Sequence, residues 1–433
     1  MFLFRKKVII MSEITVRKRG KKWEYRFEGA KIDGKRKQIS KSGFSTKKEA
    51  TMEAVKAYEQ YNSGGEKLNP TETSVADYLD YWFDNYAKVE CSLNTQQYYL
   101  SVIELHLKPA LGMYRLNSLS TSVIQEFCNA LKFKGFSKNH SKNIFCVLHC
   151  ALEYAIQPLR YIQSNPANYV RFPKITKPPK ERIILEKGQF EKIIERFPEG
   201  SRYYIPLMIG YYTGLRISEA FGLTWEDIDM ENRVIHVQRQ MTKKNFEKDP
   251  RQLYKETGKI KTASTWYLTD KLKTPTSNRY VKFGDTLYRA LKAEKQRQLK
   301  NELLFGEYYN LNYAIPEPNN FNQNIVKIVG QQKNVKMQFP RLNLVCVAEN
   351  GCLTSTDSFK YCSRSIKYDL KMKFDFHSLR HTHATRLIEA GASIKSVSER
   401  LGHAKIETTM NIYVHNTEKL EDETVELFEK AVK

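Results

Sequence analysis

Four side chains that can handle a phosphate stand close together near the C-terminus of this chain: His377, Arg380, His403 and Tyr413, in FHSLRHTHATRLIEAGASIKSVSERLGHAKIETTMNIYVH. Arg216, far upstream in TGLRISEA, supplies a second guanidinium. Two arginines suit a phosphodiester because guanidinium is planar, permanently charged and able to fork onto two oxygens, where lysine offers only a point charge. Moving a DNA phosphodiester onto a protein hydroxyl concentrates negative charge on the non-bridging oxygens, and without a metal those oxygens need fixed cations and hydrogen-bond donors. The tyrosine hydroxyl, with an ordinary pKa of about 10, becomes a useful nucleophile only beside cations or a base. His377 is the candidate to take that proton, and the departing 5′-oxygen needs an acid. A phosphotyrosine would conserve the energy of the broken bond, so a second strand could rejoin it with no nucleotide cofactor. No GxxxxGK[ST] phosphate loop is present, and no cofactor is expected.

The order T-G-L-R-I-S-E, then H-S-L-R-H-T-H-A-T, L-G-H and I-Y resembles the tyrosine recombinases, or phage integrases. The resemblance implies that Arg216 and Arg380 grip the scissile phosphate, that His377 and His403 assist, and that Tyr413 is the nucleophile. Lys273, in LKTPTSNRYV, matches the lysine on the tip of that family's catalytic hairpin and would protonate the leaving oxygen. Lys271 and Lys282 are its weaker substitutes.

Competing readings attach to several neighbours. His377 and His381 form an HxxxH pair that one helical face could offer to zinc, but the intervening residues lack the acidic ligand or base that hydrolytic zinc sites use. No metal is expected. Glu219, one turn after Arg216, either orients that guanidinium or is an exposed i,i+3 charge. Cys146, His149 and Cys150 share a helical face, but their apolar neighbours read as core, and packing is the expected role.

A formal charge of +23 and a pI near 9.5 imply a polyanionic partner. Lysines and arginines are spread through every segment with no basic amphipathic anchor, which favours nucleic acid over a membrane surface. Seven cysteines, with no CxxC, fit a reduced cytoplasmic chain in a bacterial host, associated with the nucleoid. MFLFRKKVII is too short an apolar run for a signal peptide or a membrane span, and Met11 is an alternative start.

At 433 residues the chain should hold two to three domains. Its expected fold is multidomain and mainly α with small β-sheets. After a tail over 1–14, a unit over 15–64 combines a three-stranded sheet with a helix. Trp23, Tyr25 and Phe27 alternate with polar residues, Asp33-Gly34 marks a hairpin turn, KRKQIS returns, and Thr46 with Glu49 reads as a capping box. This unit resembles the arm-type DNA-binding domain of integrases, where a sheet enters the major groove. Arg17, Lys18, Arg19, Lys21, Lys22, Lys35, Arg36 and Lys37 are its candidate DNA contacts.

A linker, NSGGEKLNPTET, leads to a helical domain over 73–172 with four apolar-periodic segments, matching the family's core-binding domain. A mixed α+β catalytic domain follows over 182–433. In it RVIHVQRQ and NRYVKF read as strands around a long polar stretch from Met241 to Thr269, and Lys300 to Lys336 reads as a helix end plus loops. The tail TEKLEDETVELFEKAVK places Leu420, Leu427, Phe428, Ala431 and Val432 near one helical stripe.

The expected function is a metal-independent DNA strand transferase: an integrase of a phage or integrative element, working as a tetramer on core-type and arm-type double-stranded DNA sites. An excision factor and a host DNA-bending protein are its expected accessories, and no membrane is involved. Two alternatives stand beside it, a type IB topoisomerase that only relaxes DNA and a DNA-binding regulator with a vestigial catalytic domain. The arm domain argues against the first, and the complete residue set against the second.

Overall fold

The computed structural model describes residues 14–28, 38–62, 73–174, 182–244, 250–258, 265–270, 272, 275–317, 325–413, 428–429 and 432. The chain divides into two compact units, 1–177 and 178–433.

Unit one opens with an antiparallel sheet of β1 (Ile14–Arg19), β2 (Lys22–Glu28) and β3 (Gln38–Phe44), in the order β1-β2-β3. Strand alternation puts Tyr25, Phe27 and Phe44 on one face, where Ala50 and Ala54 of α1 (Lys47–Asn62) cover them. Small residues on the helix let it lie close to the aromatic rings. Its start is capped as expected at one end, Thr46 Oγ1 accepting the Glu49 N–H at 3.1 Å, but the Glu49 carboxylate takes the Ser45 N–H rather than that of Thr46. Asp33-Gly34 and the start of KRKQIS lie outside the described residues.

The helical part of this unit contains α2 (Val75–Trp82), α3 (Leu93–Val102), α4 (Thr121–Phe133) and α5 (Lys138–Ile156). Both α2 and α3 run on through a π turn, at Phe83–Ala87 and Ile103–Leu107. Ser74, Ser92, Ser120 and Ser137 cap the four helices, each hydroxyl accepting a backbone N–H in the first turn. Ile144, Val147, Leu148, Ala151 and Leu152 form the buried face of α5. Cys146 and Cys150 lie off that face and are exposed, and His149 Nε2 meets Asn168 Oδ1 at 2.7 Å. The expected packing role is therefore corrected: the residues i+1 and i+2 from each cysteine fill the core instead.

Unit two starts with α6 (Gln189–Arg196), α7 (Tyr204–Thr213) and α8 (Ile217–Phe221). A three-stranded sheet, order β4-β5-β8, joins β4 (Ile228–Asp229), β5 (Val234–Val237) and β8 (Arg279–Lys282). The polar stretch between β5 and β8 is more ordered than its composition suggests. It holds β6 (Gln240–Lys244), α9 (Pro250–Thr257) and β7 (Thr265–Thr269).

The helix α10 (Asp285–Phe305) ends where the sequence implied, but the expected loops after it are corrected to β9 (Asn310–Pro316) and β10 (Ile325–Gln332). These extend the sheet as β6-β7-β10-β9, so β7 is paired on both sides. Buried Tyr313, Ile325 and Ile328 give the insertion an inward face.

The unit closes with α11 (Phe359–Asp369), α12 (Phe376–Glu389), α13 (Ile394–Leu401) and α14 (Ile406–Tyr413). Packed between α7 and the rest of the core, α12 buries Phe376, Leu379, Thr382, Ala384 and Ile388. Each fully buried Leu or Phe of this kind contributes about 1.5–3 kcal/mol relative to exposure. Among the described residues no helix is long and apolar enough to cross a membrane.

Candidate active site

The C-terminal end of α13 is where the candidate residues meet. A helix leaves its last carbonyls without intrahelical partners and places the negative end of its dipole there, so it accepts donors and favours cations. Three consecutive carbonyls do so, each from a different arginine. Arg279 Nε donates to Arg400 O at 2.8 Å, Arg380 Nη2 to Leu401 O at 2.7 Å, and Arg216 Nη2 to Gly402 O at 3.1 Å. Gly402 sits in the left-handed region, with φ +67, and turns the chain so that His403 follows the clamped corner directly. A Cβ there would lie 2.9 Å from Thr276 O and 3.1 Å from the Arg279 side chain.

Arg380 rises from the second turn of α12, whose start Asp375 caps by accepting the Ser378 N–H at 2.9 Å. It is 1% exposed, and its Nη1 donates to Gly214 O at 2.7 Å. Gly214, at φ +68, ends α7 in the left-handed conformation that leads straight into Arg216. Burial, then the Arg216 charge, pulls the Arg380 pKa down to about 9, with Glu219 opposing. A group that strains to hold its charge gains from any anion brought to it.

Glu219 resolves its two readings. It is 2% exposed, accepts from Arg216 Nη1 at 2.6 Å and from the Arg216 N–H at 3.0 Å, and takes Arg279 Nη2 at 3.0 Å. Burial alone would raise its pKa, yet the Arg279 and Arg216 guanidiniums outweigh this and hold it below the usual value.

The histidines divide by environment. His403 Nδ1 meets the fully buried Thr409 Oγ1 at 2.8 Å. Burial, followed by Arg380 and Arg216, lowers its pKa to about 3, which makes it a neutral imidazole. His377 is exposed at the start of α12, with the His381 ring edge-on at 4.7 Å between centroids. His383 donates through Nδ1 to Tyr211 O at 2.8 Å and accepts Arg400 Nε at 3.0 Å through Nε2, which fixes its tautomer. Among the described residues no group of three His, Cys, Asp or Glu could hold a metal.

Tyr413 is the last residue of α14, and its side chain lies outside the described atoms, as does all of Lys273. Position 413 falls one helical turn after Thr409, on the face of α14 that Thr409 turns to His403. Sequence reasoning missed Arg279, Arg400 and Thr409. NRYVKF had marked Arg279 only as a strand residue.

On the N-terminal sheet Arg17, Lys18, Arg19, Lys21 and Lys22 are exposed, while Lys35, Arg36 and Lys37 lie outside the described residues. Pairing of Arg17 with Glu24 and of Arg19 with Lys22 places these four on the open face, with the unforeseen Arg26. Lys18, opposite Trp23, stands on the other face. Arg17 and Arg19 both bridge to Glu24.

The sequence comparisons give this architecture and this cluster of arginines a family. The model of the phage integrase family matches residues 184–419, an arm DNA-binding domain matches 15–56, and the N-terminal SAM-like domain of phage integrases matches 74–132. The chain belongs to the phage integrase family and is a DNA recombinase of that kind.

The chain is 28% identical over 392 residues to a tyrosine recombinase XerC-like protein of Caldanaerobacter subterraneus subsp. tengcongensis, covering 88% of this chain and 89% of that one. It is 25% identical over 333 residues to the transposase from transposon Tn916 of Enterococcus faecalis, covering 76% and 71%. Among solved structures, the Tn1549 transposon integrase in complex with transposon right end DNA superposes with TM-score 0.58 at 23% identity, covering 82% of this chain and 99% of that one. A lambda integrase tetramer bound to a Holliday junction gives 0.50 at 18%, covering 92% and 94%. These likenesses show the fold.

Proposed function

We propose that this protein is a site-specific tyrosine recombinase that integrates and excises a mobile element through a covalent 3′-phosphotyrosine. The Tyr413 oxygen attacks the scissile phosphorus, the bond to the 5′-oxygen breaks, the phenol proton passes to His377, and Lys273 protonates the leaving oxygen. Arg216 and Arg380 hold the non-bridging oxygens, and neutral His403 donates a hydrogen bond to one of them. Rejoining reverses these steps with the hydroxyl of a second strand, and no metal takes part. The helical domain and the catalytic domain bind core-type sites, the open face of β1–β3 binds arm-type sites, and four copies act together. An excision factor and a host DNA-bending protein set direction.

The observation that carries this reading is the arginine-clamped corner at residues 400–402. It gathers three guanidiniums on three consecutive carbonyls, two of them also on the Glu219 carboxylate, immediately before His403 and one short helix before Tyr413. A nicked suicide substrate tests it: Tyr413→Phe should bind core-site DNA normally and form no protein–DNA adduct, and the wild-type adduct should persist in excess EDTA. An adduct with the phenylalanine variant, or loss of cleavage on chelation, would overturn the proposal.

A further inference from the structure

Arg279 matches none of the motif positions, yet it is tied into this corner more fully than the arginines that do. It is buried at the start of β8 and uses each of its nitrogens: Nε to Arg400 O at 2.8 Å, Nη1 to Ser277 O at 2.9 Å and Nη2 to Glu219 Oε2 at 3.0 Å. The carboxylate it grasps is the one that holds Arg216. Arg216 holds both oxygens of that carboxylate, Nη1 on Oε1 at 2.6 Å and its own N–H on Oε2 at 3.0 Å, but these bonds close within one helical turn and refer Glu219 only to Arg216 itself. Arg279 adds a bond to Oε2 from a distant strand, and its anchorage to Arg400 O refers the plane of the carboxylate to the backbone corner that carries His403.

We propose that Arg279 is a positioning residue for the cleavage reaction. By locking Glu219 it sets the Arg216 guanidinium at the orientation that meets the phosphate, and by joining β8 to residue 400 it keeps Arg216 and His403 in one frame. Lysine cannot replace it, because an ammonium lacks the planar fork that serves three acceptors at once. The inference rests on the reading of Arg216 as a phosphate-gripping group.

The test measures single-turnover adduct formation by the full-length protein on two nicked core-site substrates. One carries the ordinary scissile phosphate, and the other a methylphosphonate, in which a methyl group replaces one charged non-bridging oxygen. With less charge to neutralise, a misplaced Arg216 matters less. The ratio of the two rates within one preparation does not depend on what fraction of the protein is folded. Arg279→Gln and Arg279→Lys should lose about 10- to 100-fold on the phosphate, the scale of a small misplacement of a binding group, with core-site affinity unchanged. Most of that loss should be recovered on the methylphosphonate, as for Arg216→Ala. Recovery by Arg216→Ala but not by the Arg279 variants would overturn the inference, because the defect would then be general. Wild-type rates for Arg279→Lys on the phosphate would overturn it too. If Arg216→Ala itself fails to recover, the phosphate-gripping role is wrong and the inference falls with it.

Discussion

A guanidinium with 1% exposure is an unusual core residue, and the rest of the chemistry follows from how it is held. Arg380 gives one nitrogen to Gly214 O and another to Leu401 O, so its plane is fixed before any substrate arrives. Arg380→Lys keeps the charge and loses the fork. It should reduce cleavage by at least about 100-fold, the scale on which lost electrostatic donors are felt, and a gel-shift assay should show core-site binding far less affected. The half-buried histidines make a second prediction. His383, normally near 6.5, is lowered to about 4 by burial and then by Arg400. The folded state therefore binds fewer protons than the unfolded chain below pH 6.5, and stability, complete above that value, falls as pH drops towards 4. His381, also lowered to about 4, and His403, lowered to about 3, act in the same direction. The thermal midpoint should decline between pH 7 and 5, by about 2–4 °C for each kcal/mol lost. The slope should be shallower for His383→Gln, whose amide can both donate and accept; an unchanged slope would exclude His383 as a source. Arg216, Arg380 and His403, which meet at the corner over residues 400–402, stood out in the sequence because each sits in a short motif, TGLRISEA, HSLRHTHAT and LGH. The partners that position them did not, since Arg279 meets Glu219 and Arg400 only after folding brings three separate elements together.

At the scale of elements, the corner after α13 depends on a residue with no side chain. Gly402→Ala would meet Thr276 O at 2.9 Å and hold φ at +67, a left-handed conformation that costs a non-glycine residue about 1–2 kcal/mol. The variant should lower the melting temperature modestly and cleavage more strongly, since displacing residues 400–402 moves three arginines at once. Equal losses in single-turnover cleavage and in folded fraction would show that the corner matters only for stability. The four helical segments of unit one were readable from apolar periodicity, β2 from alternation, and β5 and β8 as strand-like runs. Strands β6, β7, β9 and β10 were hidden for a physical reason: their sheet is mixed in polarity, with Lys243, Asn310, Asn312, Lys327 and Gln331 inside the strands. Such segments become strands by pairing with one another rather than by hydrophobic pattern. The outward turn of Cys146 and Cys150 was misjudged because a helical face with apolar neighbours is ambiguous by about one residue in register, about 100° on a helix.

The whole molecule carries +23 charges while its last segment, 418–429, is acidic, with Glu418, Glu421, Asp422, Glu423, Glu426 and Glu429. Basic charge spread over the chain should make DNA affinity fall steeply with salt. Removing residues 1–64 should weaken binding to arm-type DNA while leaving adduct formation on a core-site oligonucleotide intact, because no proposed catalytic side chain lies there. Loss of the core-site adduct would refute that division. The acidic tail has a different part to play. Phe428 and Val432 are 67% and 63% exposed, so the chain alone leaves these apolar groups in water. Leu427 lies beside Phe428 on the same expected stripe, although most of that stripe is outside the described residues. If the stripe is covered by the next copy in a cyclic head-to-tail arrangement, it joins each Tyr413 to the assembly state through the few residues that separate them. Leu427→Ala combined with Phe428→Ala should then reduce tetramer formation on paired sites and change which strands are cleaved, while single-site affinity stays the same. Undiminished assembly and strand exchange by the double variant would mean that the tail packs on its own domain or is dispensable.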